Sequence, residues 1–472
     1  MVTVDAVTPR TARSRRSAPA STTLSVPAGI LWRAPPYGWF KAGAGSVWAV
    51  TVLAFVIGIV LMVVGLAVSI ALHELGHLVP AKLFGVRVGQ YMIGFGRTLF
   101  SRRKGETEYG IKAIPLGGYI SMAGMYPPSP KEAARGGRAG GGFFATMVQD
   151  ARDANDETLD GDDDARTFYR LPVYKRIIVM LGGPVMNLVL AIVLFTLVFS
   201  GIGVQTATTT IAQVSACLPA STTTTQCEAS DPASPAEAAG FEPGDRIVSV
   251  DGVPAATFAD ASAVIQRSAG ETVPVVVERG GREQTLMLTP AARTVDGSTI
   301  GFAGITAQID YVRQPIWSGP AAAFQNVGAV AQIIVQLPQK LYGIVHSTVT
   351  GSERDPNSPL SPVGVGVLAG EAASASAPVL DRVSFLLMML GSLNVSLFVF
   401  NLVPLLPLDG GHVVIALWDG VNRAWAKLFR RPPPKPVDAT RLVPVTFVVV
   451  VLLVVMGAVL ILADLINPIR LF

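Results

Sequence analysis

Residues 46–77 read SVWAVTVLAFVIGIVLMVVGLAVSIALHELGH, a long apolar run that ends in two histidines and a glutamate. Its first part, 46–72, holds 27 residues without a charge, which exceeds the roughly 20 that a helix needs to cross a bilayer. Three further charge-free stretches of similar length lie at 177–210, 383–408 and 442–463. The sequence therefore predicts an α-helical polytopic membrane protein with about four transmembrane helices.

The composition excludes several other classes. Of 472 residues, 50% are hydrophobic and 15% are charged, whereas soluble domains carry about 25% charged residues. Whole-chain disorder requires low hydrophobicity and high charge, and two cysteines do not make a disulfide scaffold. The formal charge of +4 is mild, so it predicts orientation in a membrane and no nucleic-acid partner.

The distribution of lysine and arginine predicts the orientation of the spans. Basic residues crowd the segments 82–112 and 423–441, which places both on the cytoplasmic side. Both termini and the long segment 211–382 are then extracytoplasmic. Four arginines at 10–16 favour the opposite side for the tail, but they precede the first span by some 30 residues. In an oxidising compartment Cys217 and Cys227 form either a disulfide or two free thiols, and their spacing leaves both open.

The pattern His73-Glu74-Leu-Gly-His77 is an H-E-x-x-H motif. On a helix, positions i and i+4 share one face, so both imidazoles reach one zinc ion and the glutamate polarises a bound water. The bare pattern also arises by chance. Here it ends an apolar run, where ionisable groups are expensive and mark function, so a zinc site is the favoured interpretation.

A catalytic zinc site has three protein ligands and one open position. The run NLVPLLPLDGGH at 401–412 offers Asp409 at the end of the third span. The first and third spans run in the same direction, so His73, His77 and Asp409 all arrive near the cytoplasmic face. His412 is a rival ligand, or an interfacial histidine without a catalytic role.

The extracytoplasmic segment contains a small α+β unit at 236–292. Turn signals around Pro243-Gly244 and Asp251-Gly252 flank a strand at 247–250, and a helix is predicted at 258–266. The run AGFEPGDRIVSVDG at 239–252 resembles a PDZ domain. Such domains bind an extended peptide by adding it to a sheet edge; the alternative is a β domain that serves as a spacer or size filter.

These motifs together resemble the site-2 protease family of intramembrane zinc metalloproteases. The resemblance rests on HELGH, on the run GPVMN at 183–187, on NLVPLLPLDGG and on the PDZ-like unit. It is most similar to the bacterial, actinobacterial branch with a PDZ domain, which cleaves anti-sigma factors. The long tail, the polar insertion at 127–165 and the single PDZ-like unit depart from that pattern.

The resemblance implies one Zn²⁺ per chain, bound by His73, His77 and Asp409, with Glu74 as general base. It also implies that 90–119 forms a membrane-associated β-loop that pairs with unwound substrate. The substrate-binding residues it implies are Gly94, Phe95, Gly96, Asn394 and Asn401. The alternatives are a cytoplasmic hairpin for the loop and interhelical hydrogen bonds for the asparagines.

The predicted activity is hydrolysis of peptide bonds in or near the transmembrane segment of single-pass, anti-sigma-factor-like membrane proteins, after a first extracytoplasmic cut. The enzyme is expected in the plasma membrane, in contact with the lipid bilayer, with a peptide bound by the PDZ-like unit. The competing function is a non-catalytic zinc-binding membrane scaffold whose PDZ-like unit captures peptides. In that case Glu74 is dispensable. A secreted metalloprotease does not explain four spans.

The predicted segments follow the chain in order. They are a disordered tail (1–45), the first span with its motif (46–80), the β-loop (88–120), a disordered cytoplasmic insertion (127–165), the second span (172–205), the extracytoplasmic segment (211–312), an amphipathic interfacial linker (313–382), the third span (383–409), a cytoplasmic loop (419–441) and the fourth span (442–466).

Overall fold

The computed structural model describes part of the chain, namely residues 44–125, 148, 166–218, 231–295, 298–355, 357–432, 437 and 442–469. The predicted tail 1–45 and insertion 127–165 lie almost wholly outside these residues, as does Cys227. Cys217 is disulfide-bonded, and Cys227 is the only other cysteine in the sequence.

Four helices of the described residues are long and apolar enough to cross a membrane, which agrees with the predicted number of spans. They are α1 (Ala44–Leu83), α2 (Val173–Thr196, extended by a π-helical turn Leu197–Ile202), α8 (Val379–Asn401) and α10 (Val443–Ile466). The H-E-x-x-H motif lies in the last turns of α1, so its predicted helical setting is observed.

The remaining helices are shorter. They are α3 (Pro235–Ala238), α4 (Phe258–Arg267), α5 (Ser318–Val335), α6 (Leu337–Thr350), α7 (Pro362–Ser374) and α9 (Asp409–Leu428). The cytoplasmic loop predicted for 419–441 is therefore wrong in its first part, because residues 419–428 continue α9. Two glycines and interspersed polar residues obscure this helix in the sequence.

After α1 the chain forms a long β-hairpin, with β1 at Val88–Lys104 and β2 at Thr107–Met122. Residues 90–93 of β1 pair with 118–121 on one side and with 108–111 on the other, while the distal part of β1 pairs with 107–112. The two strands thus bend back on themselves and form four short paired segments, or lanes. Residues 118–121 form one edge of this small sheet.

The segment after α2 forms an antiparallel sheet. Its strands are β3 (Val204–Val214), β4 (Arg246–Val250), β5 (Val253–Pro254), β6 (Val273–Arg279), β7 (Arg282–Leu288) and β10 (Ile305–Val312), in the order β10-β3-β4-β6-β7 with β5 on β4. A second, two-stranded sheet pairs β8 (Ala291–Val295) with β9 (Ser298–Phe302). Helix α4 starts with a capping box at Thr257 and Asp260 and buries Val264 and Ile265 in the core of this unit.

The β unit is tied to the helices at its base. Strands β3 and β10 pair along most of their length and lead to α2 and α5 respectively. Asp381, in the first turn of α8, accepts hydrogen bonds from Gln205 (2.8 Å) and from the Tyr311 hydroxyl (2.5 Å). The β unit therefore sits above the beginning of the third span.

Candidate metal centre

Helix α1 presents both histidines of the motif on one face. The Nε2 atoms of His73 and His77 lie 3.2 Å apart, and the ring centroids are separated by 4.9 Å in an edge-to-face arrangement. This is the consequence of i, i+4 spacing on a regular helix.

The third residue arrives from the loop that follows α8. That helix ends at Asn401, and Asp409 is the first residue of α9. Gly410 and Gly411 allow the first turn of α9 to pack against the loop, because a Cβ on either would overlap backbone atoms of Leu402 or Leu405. The Oδ2 atom of Asp409 thereby lies 3.4 Å from Nε2 of both histidines.

The three donor atoms fit a zinc ion. Tetrahedral zinc with bonds of about 2.0–2.1 Å places its ligand atoms about 3.3 Å apart, which matches the spacings between His73, His77 and Asp409. The ligand atoms of the three residues form a group able to hold a metal ion. Asp409 Oδ2 is buried, with no hydrogen-bond partner in the described part of the chain. A carboxylate oxygen and two imidazole nitrogens so arranged are stable when a cation lies between them.

The other nitrogen of each ring is also held in place. Nδ1 of His77 donates to the carbonyl oxygen of Val179 at 2.7 Å, which leaves Nε2 with a lone pair for a metal. Nδ1 of His73 lies 3.1 Å from the side-chain amide of Asn187. The Asn187 carbonyl oxygen is buried and has no hydrogen-bond partner among the described residues. If the amide oxygen and nitrogen are exchanged, the oxygen accepts a hydrogen bond from Nδ1–H of His73. Nε2 of His73 then keeps its lone pair for a metal.

Small residues of α2 make room for the motif. A Cβ on Gly183 would overlap the imidazole of His77 and press on that of His73. Gly182 and Gly76 meet backbone to backbone, so the two helices approach closely at this level. The run LGGPVMN in α2 is therefore the wall of the histidine site.

Glu74 is buried, with 8% of its surface exposed, and it faces the hairpin. A Cβ on Gly118 would lie 3.0 Å from Cγ of Glu74, so the edge lane 118–121 passes directly beside the carboxylate. Tyr91, in the adjacent lane, donates from its hydroxyl to the carbonyl of Ala71 at 2.7 Å. Burial, together with the Glu74 carboxylate nearby, raises the pKa of Tyr91 to about 12, so it remains a donor.

The predicted substrate-binding residues lie in two places. Gly94, Phe95 and Gly96 belong to β1, where the Phe95 ring is half-exposed and stacks on Tyr119. Both glycines have positive φ, of 91° and 82°, which favours glycine at these two positions.

Asn394, in α8, is buried and donates to Ser69 Oγ of α1 at 2.9 Å, while its carbonyl oxygen has no partner among the described residues. Asn401 is the last residue of α8. His412 lies in the first turn of α9 and is not among the three residues whose ligand atoms converge.

Asn187 is the site residue whose importance the sequence does not predict. It belongs to the quoted run GPVMN, yet the sequence favours a structural role for it. The available signal is a fully buried amide in a span, since such a group needs a specific partner. The partner is 114 residues away, so local spacing does not reveal it.

Comparison with known proteins agrees with this geometry. Residues 61–431 match the model of peptidase family M50. Zinc metalloprotease Rip1 of Mycobacterium tuberculosis H37Rv is 33% identical over 436 residues, which cover 89% of this chain and 99% of that protein. Rip1 of Mycolicibacterium smegmatis is 33% identical over 440 residues with the same coverage, and metalloprotease MmpA of Caulobacter vibrioides is 28% identical over 389 residues, covering 79% and 88%.

The chain belongs to peptidase family M50, the site-2 protease family. It is a zinc metalloendopeptidase, so the enzymatic interpretation of the sequence is confirmed over the non-catalytic scaffold. The matched segment contains both histidines, Glu74 and Asp409.

Proposed function

We propose that this zinc metalloprotease hydrolyses peptide bonds in or near the transmembrane segments of single-pass membrane proteins, with His73, His77 and Asp409 as the metal ligands. The observation that carries the proposal is their convergence at the end of an apolar helix, beside the buried Glu74. A protease site built into a candidate span acts on chains that lie in or at the bilayer.

Glu74 is the proposed general base. When bound, zinc would supply a Lewis acid that polarises the scissile carbonyl and lowers the pKa of coordinated water far below that of bulk water. The Glu74 carboxylate takes a proton from water and later delivers it to the leaving nitrogen. Val179 and Asn187 hold the two imidazoles with Nε2 toward the site throughout.

The hairpin is proposed to present the substrate. A helical segment hides its amides within its own hydrogen bonds, so it must be extended before cleavage. The edge lane 118–121 offers backbone groups beside Glu74, and an extended chain adds to such an edge by main-chain hydrogen bonds. Candidate contacts for that chain are Phe95 and the carbonyl oxygen of Asn394, which has no partner within the described part of the protein.

The proposed location is the plasma membrane, with both termini and the β unit outside and the metal centre near the cytoplasmic face. The basic segments between the spans support this orientation. The disulfide at Cys217 supports it independently, since disulfides persist in oxidising compartments.

The β unit is proposed to act as a PDZ-like domain that tests the extracytoplasmic end of the substrate. A substrate of anti-sigma-factor type would be shortened outside by another protease and then admitted. Removing 236–292 is expected to allow cleavage of untrimmed substrate, or to abolish binding of a trimmed end. Unchanged cleavage of full-length and trimmed substrate alike would refute this role.

The main test is cleavage of a tagged single-pass substrate by the purified full-length chain, comparing wild type with Glu74→Gln at matched zinc content. Wild type is expected to cut within or next to the substrate span. Glu74→Gln is expected to keep its zinc and to lose roughly 10²–10⁴-fold in rate, because the general base is gone.

The converse variant is His77→Ala, which is expected to lose zinc and activity together. Equal rates for wild type and Glu74→Gln on a validated substrate would remove Glu74 from the mechanism. Zinc binding that survives both His77→Ala and Asp409→Ala would remove the proposed ligand set.

A further inference from the structure

Helix α9 carries an exposed apolar stripe. Its large apolar side chains that remain exposed recur every three or four residues and therefore lie on one face; they are Val414, Leu417, Trp418, Val421, Trp425 and Leu428, followed by Phe429 in the next turn. Trp418 and Trp425 are each 58% exposed. Nothing in the described part of the chain covers this stripe.

The opposite side of α9 is fixed to the protein. Asp419 forms an ion pair with Arg176 at 2.9 Å, and both side chains are almost fully buried. Asp419 also accepts from the backbone amide of Val437 at 3.1 Å, and Gly420 packs against Val173 at the beginning of α2. The helix is thus held at the beginning of the second span, with its stripe directed away from the contact.

Exposed apolar side chains also lie on the second span beside α9. Tyr174 and Ile178 of α2, near the α9 contact, are exposed as well, and the chain belongs to a membrane-embedded family. Tryptophan is the residue enriched at membrane–water interfaces. The polar side of α9 and its end carry Arg423, Lys427, Arg430 and Arg431, which match the charge of anionic phospholipid headgroups.

We propose that α9 lies in the membrane–water interface, with its Trp418–Trp425 stripe in the headgroup–acyl boundary of an anionic bilayer. Because Asp409 is the first residue of α9, this lipid contact also holds the third ligand at the metal site. The lipid contact is independent of the proposed function, whereas its effect on Asp409 rests on the proposed ligand set.

The lipid contact is tested with spin labels on the full-length chain in phosphatidylcholine–phosphatidylglycerol vesicles. Trp425→Cys and Arg423→Cys each receive a nitroxide; the two positions are two residues apart and lie on different faces of the helix. The label at 425 is expected to collide mainly with oxygen, and the label at 423 mainly with a water-soluble nickel complex. Equal exposure of both labels to water would overturn the proposal. Protection of the label at 425 from both reagents, with spin–spin broadening, would assign the stripe to a second copy and overturn it too.

The effect on Asp409 is tested by zinc competition with a chelator in the same vesicles, without a cleavage assay. Trp418→Ser/Trp425→Ser is expected to bind zinc about tenfold more weakly, the size typical of lost support around a ligand. Trp418→Phe/Trp425→Phe retains the apolar stripe and is expected to stay within about twofold of wild type. Unchanged zinc affinity in the serine variant, with the label at 425 in lipid, would refute the coupling and leave the proposed protease function intact.

Discussion

The side-chain amide of Asn187 lies 3.1 Å from Nδ1 of His73 and joins the middle of the second span to the end of the first. With the amide oxygen turned toward the ring, Nδ1 keeps its proton and Nε2 is free for the metal. Asn187 is not one of the three residues whose ligand atoms converge, so the role we propose for it is to position His73.

Asn187→Leu is expected to weaken zinc binding by about 10–100-fold, because the histidine loses the acceptor that fixes its tautomer and orientation. Asn187→Asp restores an acceptor and is expected to bind zinc close to wild type. Chelator competition on the purified variants measures both. Wild-type affinity in Asn187→Leu would show that the amide only packs against the ring.

Gly183 makes a second, steric prediction. Gly183→Ala is expected to displace the two imidazoles and to lower zinc occupancy and cleavage together, because a Cβ there overlaps the His77 ring. Gly457→Ala, in the fourth span with open space around it, is the matched control and is expected to leave both unchanged. Full zinc occupancy in Gly183→Ala would show that α2 moves aside without consequence.

The candidate metal centre can largely be predicted from the sequence, because its residues follow simple rules. Histidines at i and i+4 are recognisable because they share one face of any helix. Asp409 is recognisable because a carboxylate at the end of another span is costly there and therefore indicates a function. Topology then brings the two ends to one side. No rule of comparable strength links His73 to Asn187, since that contact depends on how closely two glycine-lined helices pack.

The strand pairing of the hairpin and the helical structure of α9 are not predictable from the sequence. The family resemblance implies a β-loop at 90–119, but the doubled pairing of 90–93 arises from backbone register shifts that leave no pattern in the side chains. The helix after Asp409 starts with two glycines and mixes aromatic with charged residues, so it resembles a loop until its stripe is seen on a folded backbone.

The β unit is predicted to lose stability in acid through Asp245. Burial alone raises the pKa of this carboxyl, but Arg279 and the amide of Glu242 outweigh it and hold the pKa below its ordinary value. A depressed pKa contributes stability that is complete above the unfolded value of about 3.9 and is lost as the pH falls below it. Asp245→Asn is therefore expected to destabilise the unit at pH 7 and to flatten its acid dependence.

Hydrogen exchange of the full-length chain, compared between variant and wild type at each pH, measures this effect in peptides from the β unit. Glu278→Gln removes an ion pair with Arg246 whose side chains are more exposed and serves as the control. Such pairs contribute about 0–1 kcal/mol, so little change is expected. Equal effects of the two variants would contradict a special role for Asp245.

The last span is predicted to depend on the ion pair between Arg354 and Asp464, whose side chains are each 1% exposed. Asp464 also accepts from the backbone amide of Ser361 at 2.6 Å, so one carboxylate fixes the end of α10 to the start of α7. Arg354→Met leaves that carboxylate buried without its cation and is expected to lower the free energy of unfolding by about 3–5 kcal/mol. Lys340→Met breaks a half-exposed pair with Asp355 and is expected to cost less than about 1 kcal/mol. Reversible unfolding of the full chain in mixed micelles measures the loss of unfolding free energy in each variant. Equal losses would show that apolar contacts, and not the ion pair, attach α10 to the rest of the protein.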